Sequence, residues 1–514
     1  MTRTRPLRHA LLLLPLALCT FACKDKPEVE TAKWRAGCAP LARPAPLSLE
    51  AARAAHRDAD RRQELRLREA EAPGYFLRAM HAALDPEQMA AGRVCLAQLA
   101  DLGQLVFEHE YNFPDGLGGG KRTAAGPFRR VHRSAFGGPE TVSCTSCHWL
   151  GGPNGAGAET DNAFLAGDGA SVGSGDARNP PALMGLGVVQ ALAREMSREL
   201  QRQRVDFLRT SKRDGGAREQ RLSAKGVDFG VLRLGADGGL DTSGVRGVDA
   251  DLVVKPFGWK GNFASIGDFV GEALQVHIGI QSESLLAIAS REALGNGEDR
   301  DDPDGDGVRG ELGRGPFNAL IAHLALLELP VVEPLIQDRD IKPAASALLP
   351  PTTTDFSADF QRGRKLFHSL GCAGCHVPAM ILESPMVQIE GLPPIDLSQQ
   401  MRQPALAYDA TLGGYPVWLF SDLKRHDMGR SNAAQHMQRG VALNEYLTPR
   451  LWGVADSAPY LHDARAPSFD YAVAGHDGEG AEARAAYAEL ASEDKGALRV
   501  YLMSLRRTAR VVVP

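Results

Sequence analysis

Nothing in this chain of 514 residues favours a β-rich protein, a nucleic-acid partner or a disulfide scaffold. Aromatic residues are scarce, at 6%, and strands draw heavily on them. The charge nearly cancels, 58 Lys and Arg against 63 Asp and Glu for a net −5, so there is no general attraction to a polyanion. Eight cysteines are too few to staple so long a chain. Beyond the N-terminal segment no apolar run approaches the ~20 residues of a membrane span. What is there is 44% apolar and 24% charged, enough to bury a core. The 55 glycines and 32 prolines point to helices joined by long irregular loops. At ~150 residues per domain the length suggests about three units.

The N-terminus carries Arg3, Arg5 and Arg8 ahead of an apolar run from Ala10 to Ala22. As a helix that run spans ~20 Å, short of a hydrocarbon core of ~30 Å, so it reads as an export signal and not an anchor. It ends in Thr20-Phe21-Ala22-Cys23, which resembles a bacterial lipoprotein cleavage box, with Thr20 where that box usually has Leu. The expectation is a signal over 1–23 with lipid on Cys23, ordinary signal cleavage being the alternative. The mature chain is then expected in the periplasm, lipid-anchored to the outer membrane and meeting a membrane only through that lipid. Residues 24–98 read as a tether followed by a helical region, with breaks near Ala72-Pro73-Gly74 and Asp85-Pro86. Cys38 and Cys95 are left for a disulfide in an oxidising compartment, or stay free.

Two stretches decide the chemistry. Cys144-Thr-Ser-Cys147-His148 and Cys372-Ala-Gly-Cys375-His376 both fit C-x-x-C-H, the attachment signature of c-type haem. Two thiols add across the vinyl groups of one macrocycle, and the adjacent histidine reaches the iron. A thioredoxin-like pair would want a βαβ pattern that is missing, and zinc would have to pool ligands from distant halves. The expected cofactors are therefore two covalent haems c. A repeat supports this: Gly103-Gln-Leu-Val-Phe107 precedes the first motif and Gly363-Arg-Lys-Leu-Phe367 the second. The expected fold is mainly α, with two cytochrome c-like domains over 99–340 and 357–514, a linker over 341–356, long loops and a small β insertion within Val227–Val254.

With these motifs and four further stretches, the chain from about Leu99 onward resembles the bacterial di-haem cytochrome c peroxidase superfamily, and within it the di-haem oxidoreductases. The stretches are Arg178-Asn-Pro-Pro-Ala-Leu-Met-Gly185, Lys255-Pro-Phe-Gly-Trp-Lys-Gly261, Ser421-Asp-Leu-Lys-Arg-His-Asp-Met-Gly429 and Ala458-Pro-Tyr-Leu-His-Asp-Ala-Arg465. The resemblance implies that the N-terminal haem meets peroxide while the C-terminal haem takes electrons from a small donor protein, a cytochrome c or a cupredoxin. It implies that Trp259 is a stepping stone between the haems. It also implies that Asn179, with the backbone oxygens of Ser457 and Pro459, holds a calcium ion. His476 falls fourteen residues beyond His462, where the family has the second haem's other axial ligand, with Met428 as the competitor. Imidazole there would lower the potential relative to a thioether.

Over the N-terminal haem the pattern departs from the family's. His277 takes the place of a carboxylate and Phe269 that of a glutamine. An imidazole can move the proton that O–O cleavage requires, or it can ligate the iron and close the site; both roles stay open. Asp302-Pro-Asp304-Gly-Asp306-Gly307, with Glu311, starts like a calcium loop, but Gly313 stands where a bidentate glutamate belongs. The leading expectation is an exported di-haem peroxidase with hydrogen peroxide as oxidant. The alternatives are a di-haem oxygenase or oxidase acting on an organic substrate, and a periplasmic electron carrier without catalysis.

Overall fold

Two glycines set the architecture. In the computed structural model, a Cβ on Gly103 would lie 1.9 Å from the carbonyl oxygen of Ala319, and one on Gly363 would lie 2.1 Å from that of Ala497. Only a residue without a side chain permits so close a helix crossing. Helix α1 (Leu96–Glu108) thus crosses α3 (Arg314–Ala325), and α4 (Phe356–Ser369) crosses α5 (Ser492–Met503). The repeat seen in the sequence is therefore a repeated helix pair, each leading into one C-x-x-C-H motif. The described residues are 34, 62–118, 130–132, 139–214, 219–235, 238–288, 302–330, 356–402 and 406–507. The expected signal, its Cys23 and nearly all of the expected linker lie outside them. Cys95 is disulfide-bonded, and its partner lies outside them too.

The architecture is mainly helical with small sheets. The N-terminal helices break where Pro and Gly stand in the sequence. Asp85 caps the turn Pro86–Ala90 by accepting from the Glu87 N–H at 2.9 Å, with Pro86 in the first turn. A long helix α2 (Leu186–Asp214) follows the first haem motif. The β insertion is a three-stranded antiparallel sheet of Glu219–Ala224, Val227–Leu234 and Leu240–Asp241. It starts ahead of the expected Val227, because the turn Lys225-Gly226 pairs the new strand with the one after it. Among the described residues no helix is long and apolar enough to cross a membrane.

Apolar side chains gather into two clusters. The smaller is built on the second helix pair and includes Phe367, Phe420, Leu498 and Tyr501. The larger holds α1, α2 and α3 together with Met380, Leu382, Ile395, Leu397 and Val417, which come after the second motif. The packing thus crosses the boundary expected at 341–356, and the two expected domains share a core. Backbone bonds also tie the halves together: Asn179 N–H donates to His462 O at 2.7 Å, and Leu447 N–H donates to Trp259 O at 2.9 Å.

Candidate haem sites

Each C-x-x-C-H motif sits in a short turn that starts a few residues after its Gly-x-x-x-Phe helix or a long insertion. In the second, Gly371 ends the turn after α4 with φ +86°, and His376 N–H donates to Cys372 O at 3.0 Å. In the first, His148 N–H donates to Cys144 O, also at 3.0 Å. The same local fold therefore places two thiols and one imidazole on one side of each turn. All four cysteines are unpaired and half-buried.

The ring nitrogens are already sorted. His376 Nδ1 lies 3.1 Å from Phe420 O, His148 Nδ1 lies 3.2 Å from Gly155 O, and His476 Nδ1 lies 2.8 Å from Ala472 O. A carbonyl accepts only, so each ring keeps its proton on Nδ1 and offers an unprotonated Nε2. Burial pushes His148 and His376 down to about 4, which keeps both neutral, as a metal ligand must be. Burial lowers His476 as well.

His376 and His476 face one another with ring centroids 6.3 Å apart. Two metal–nitrogen bonds of about 2 Å each would put the centroids of two axial imidazoles roughly 6 Å apart. Buried cations supply a second sign of fit. Arg178 is 8% exposed, and its Nε and Nη2 have no acceptor among the described residues; Arg450 Nε has none either. Burial lowers both guanidinium groups, Arg450 to about 10. Buried donors left unmade are costly, and the carboxylates of a haem are acceptors of the kind they call for. The residues present fit the group.

The first site is arranged differently. Among the described residues no ring pairing joins His148 to His277. His148 instead has Phe107 of α1 at 6.2 Å. His277 lies in a π-helical turn, Leu274–Ile278, closed by Gly279 at φ +87°. A Cβ there would strike the Gly118 backbone at 2.4 Å. The His277 carbonyl accepts from the Glu140 N–H at 3.0 Å, and this link brings the Glu140 carboxylate into an ion pair with His277 Nδ1. The other carboxylate oxygen of Glu140 is 2.8 Å from His132 Nε2. Burial alone would raise the Glu140 carboxyl, but the His277 charge and the bond from His132 bring it down to about 2. For His277 burial works downward, and the Glu140 charge outweighs it and raises the imidazole. Neither Glu140 nor His132 was singled out in the sequence, where both lie in a glycine-rich insertion without a motif.

Phe269 does not stand alone as a pocket wall. It stacks on Phe257 at 6.3 Å and tilts against Phe263 at 5.4 Å, so it belongs to an aromatic cluster beside the Trp259 loop. Trp259 sits at the seam between the halves. Its indole N–H donates to Asn179 O at 2.7 Å, and its ring lies 6.5 Å from that of His462. His462 stacks on Tyr446 at 4.4 Å, and the Lys260 ammonium lies 3.7 Å above the Tyr446 ring while donating to three backbone carbonyls.

Of the calcium candidates, Asn179 uses its amide nitrogen on Ala158 O at 2.9 Å and Asn162 Oδ1 at 3.0 Å. Ser457 Oγ turns to Val454 O, and Pro459 follows a cis peptide bond. Asp302, Asp304 and Asp306 do converge, with Asp302 accepting from the N–H groups of Asp306 and Gly307, each at 3.1 Å. Burial, followed by the Asp306 charge, lifts Asp304 to about 7. Burial, followed by the three aspartates, lifts Glu311 to about 10 although it accepts from the Gln281 N–H at 2.7 Å.

Comparison with known families agrees with the second motif. The family described as "Di-haem oxidoreductase, putative peroxidase" matches residues 339–505. No curated protein matches the chain. Among solved structures, the diheme peroxidase BthA from Burkholderia thailandensis E264 is 15% identical, with a TM-score of 0.33 over 81% of this chain and 87% of that one. A MauG-like protein associated with microbial copper homeostasis is also 15% identical, with a TM-score of 0.26 over 53% and 78%. Residues 339–505 thus match the di-haem oxidoreductase family, over about a third of the chain.

Proposed function

We propose that the chain is an exported enzyme with two covalent haems c that reduces peroxide at the N-terminal haem, using electrons relayed through the C-terminal one. The observation that carries this reading is the asymmetry of the two histidine sets. His376 has a second imidazole at the spacing of an axial pair, whereas His277, the corresponding candidate over the first haem, is held by Glu140. An electron-transfer haem is best closed, and a reactive one needs an open or displaceable position.

When bound, the haems supply the one-electron chemistry and the site where peroxide is activated. The chain does the rest. Cys144 and Cys147 would tether one macrocycle and Cys372 and Cys375 the other, with His148 and His376 as proximal ligands. His476 would be a further ligand of the second haem. His277 holds and moves the proton. Trp259, bonded to both halves, lies on the path between the motifs. The donor is a small redox protein of the cytochrome c or cupredoxin kind. The N-terminal signal and Cys23 support a periplasmic protein held to the outer membrane by lipid. Calcium at Asn179 or in the Asp302 loop is part of the same reading, supported by oxygen donors suited to a hard cation.

The test is to purify the exported protein, count haems by pyridine haemochrome, and mix the half-reduced form with hydrogen peroxide. Two haems per chain are expected, one of them high-spin and oxidised by peroxide as the peroxide is consumed. Two low-spin haems inert to peroxide would leave an electron carrier in its place.

A further inference from the structure

We propose that Glu140 is the positioning residue that makes His277 the acid–base group of the first haem pocket, with His132 locking the carboxylate from behind. The proposal rests on the peroxide reading above, and it deepens that reading by naming what sets the working nitrogen.

Each oxygen of the Glu140 carboxylate is committed to one imidazole, Oε1 to His277 Nδ1 and Oε2 to His132 Nε2 at 2.8 Å. The three side chains form a graded series: His132 fully buried, Glu140 nearly so at 7% side-chain exposure, and His277 open at 31%. The rings of His132 and His277 meet edge to face at 5.6 Å. A shared metal ion is the other way to gather two histidines and a carboxylate, but ligands on one such ion stand about 3.3 Å apart when its bonds are near 2.0 Å. The 2.8 Å separation is that of a hydrogen bond.

The Glu140 carboxylate beside Nδ1 favours the His277 proton there and leaves Nε2 as the free nitrogen. It also stabilises the imidazolium that forms when Nε2 accepts a proton. In the step this serves, Nε2 takes the proton from the peroxide oxygen nearer the iron and returns it to the far oxygen. The O–O bond breaks, that oxygen leaves as water, and the near oxygen leaves as a second water after two protons reach it from solvent. The two electrons come from the haem pair and are replaced by the one-electron donor. Glu140 ends with the proton count it began with. His132 donates to Oε2 and keeps the carboxylate from turning.

The groups facing this pair define its pH response. His277 is faced by Glu140, Glu272, His132 and the His148 ring, and Glu140 by His132, His277 and Cys147. Cys147 carries no charge once it is a thioether. A negative charge beside an imidazole favours the protonated form, so removing it moves the imidazole's titration to lower pH.

The experiment follows the rate of the wild-type holoprotein with hydrogen peroxide from pH 4.5 to 9, beside Glu140→Gln and Glu140→Asp. In the wild type the rate should rise as His277 loses its proton. Glu140→Gln should move that rise down by about one pH unit or more and lower the plateau about 10- to 100-fold. Glu140→Asp keeps the charge but withdraws it, so the rise should stay near the wild-type pH while the plateau falls. The absorption and spin state of the second haem should be unchanged in both, which reports an intact fold. A wild-type pH profile and plateau in Glu140→Gln would overturn the proposal. Should that variant not fold, full wild-type plateau in Glu140→Asp would overturn it. If even the wild type ignores peroxide, the peroxide reading fails on its own. The pair is then read from the pH midpoint of the first haem's ferric spectrum, which Glu140→Gln should lower and which an idle Glu140 would leave in place.

Discussion

The rings of His376 and His476 stand 6.3 Å apart, each with Nδ1 spent on a backbone carbonyl. With Nδ1 so engaged, each ring keeps Nε2 for a ligand. Replacing His476 with Gly should leave the haem attached, turn it from low-spin to high-spin and slow electron transfer through it. Absorption and electron paramagnetic resonance spectra of the ferric protein check this, and an unchanged low-spin signal would return Met428 to consideration.

His277 should behave in the opposite way. His277→Ala should leave the second haem's spectrum alone and slow the reaction of the first with peroxide by ~10²–10⁴-fold, the usual contribution of a general acid–base group. Stopped-flow mixing with peroxide measures it. If the first haem is low-spin in the wild type and opens in this variant, His277 is a ligand.

The two helix crossings make a prediction about stability alone. Gly103→Ala would drive a methyl into the Ala319 carbonyl, and Gly363→Ala into that of Ala497. Each should cost about 1–3 kcal/mol, the usual range for overpacking. Urea unfolding of the two variants checks it, and a neutral effect would mean that the helices slide apart freely.

Glu311 predicts a pH dependence of stability. Its carboxyl rises from an ordinary 4.5 to about 10 in the folded chain, through burial and then the neighbouring aspartates. The folded state therefore holds a proton that the unfolded state gives up, and stability should be full below about pH 4.5 and fall as pH rises toward 10. In chelator, Glu311→Gln should flatten that fall and gain stability at neutral pH. Added calcium should lift the wild type in the same window and do less for the variant. Thermal unfolding against pH, with and without calcium, measures both.

The parts of this protein that could be read from sequence are those whose chemistry needs fixed spacing along the chain. Two thiols and a histidine in one turn must be neighbours, so both attachment turns are legible, and so is the glycine that lets each preceding helix be crossed. His476 was reached by counting from His462. Glu140 and His132 were not legible, because what joins them to His277 is a backbone bond across 137 positions followed by side-chain contacts, and neither residue sits in a pattern. The crossing helices were half legible. Gly103 and Gly363 stand out, while their counterparts share only the short pattern Ala-Leu-x-x-His/Tyr-Leu, Ala319–Leu324 and Ala497–Leu502; Ala319 and His323 meet Gly103 just as Ala497 and Tyr501 meet Gly363. Phe269 shows the limit of alignment by position, since its neighbours Phe257 and Phe263 come from a loop that the helix pattern does not reveal.

The strand and loop residues between Met380 and Val417 pack into the larger core, though they follow the second motif in the chain. The molecule is therefore laced, in the manner of a book whose last quire is sewn into its first. Cutting at the segment before α4 would strip the first half of part of its interior and leave the second with an orphaned apolar face. The relative placement of the two attachment turns is thus set by shared packing.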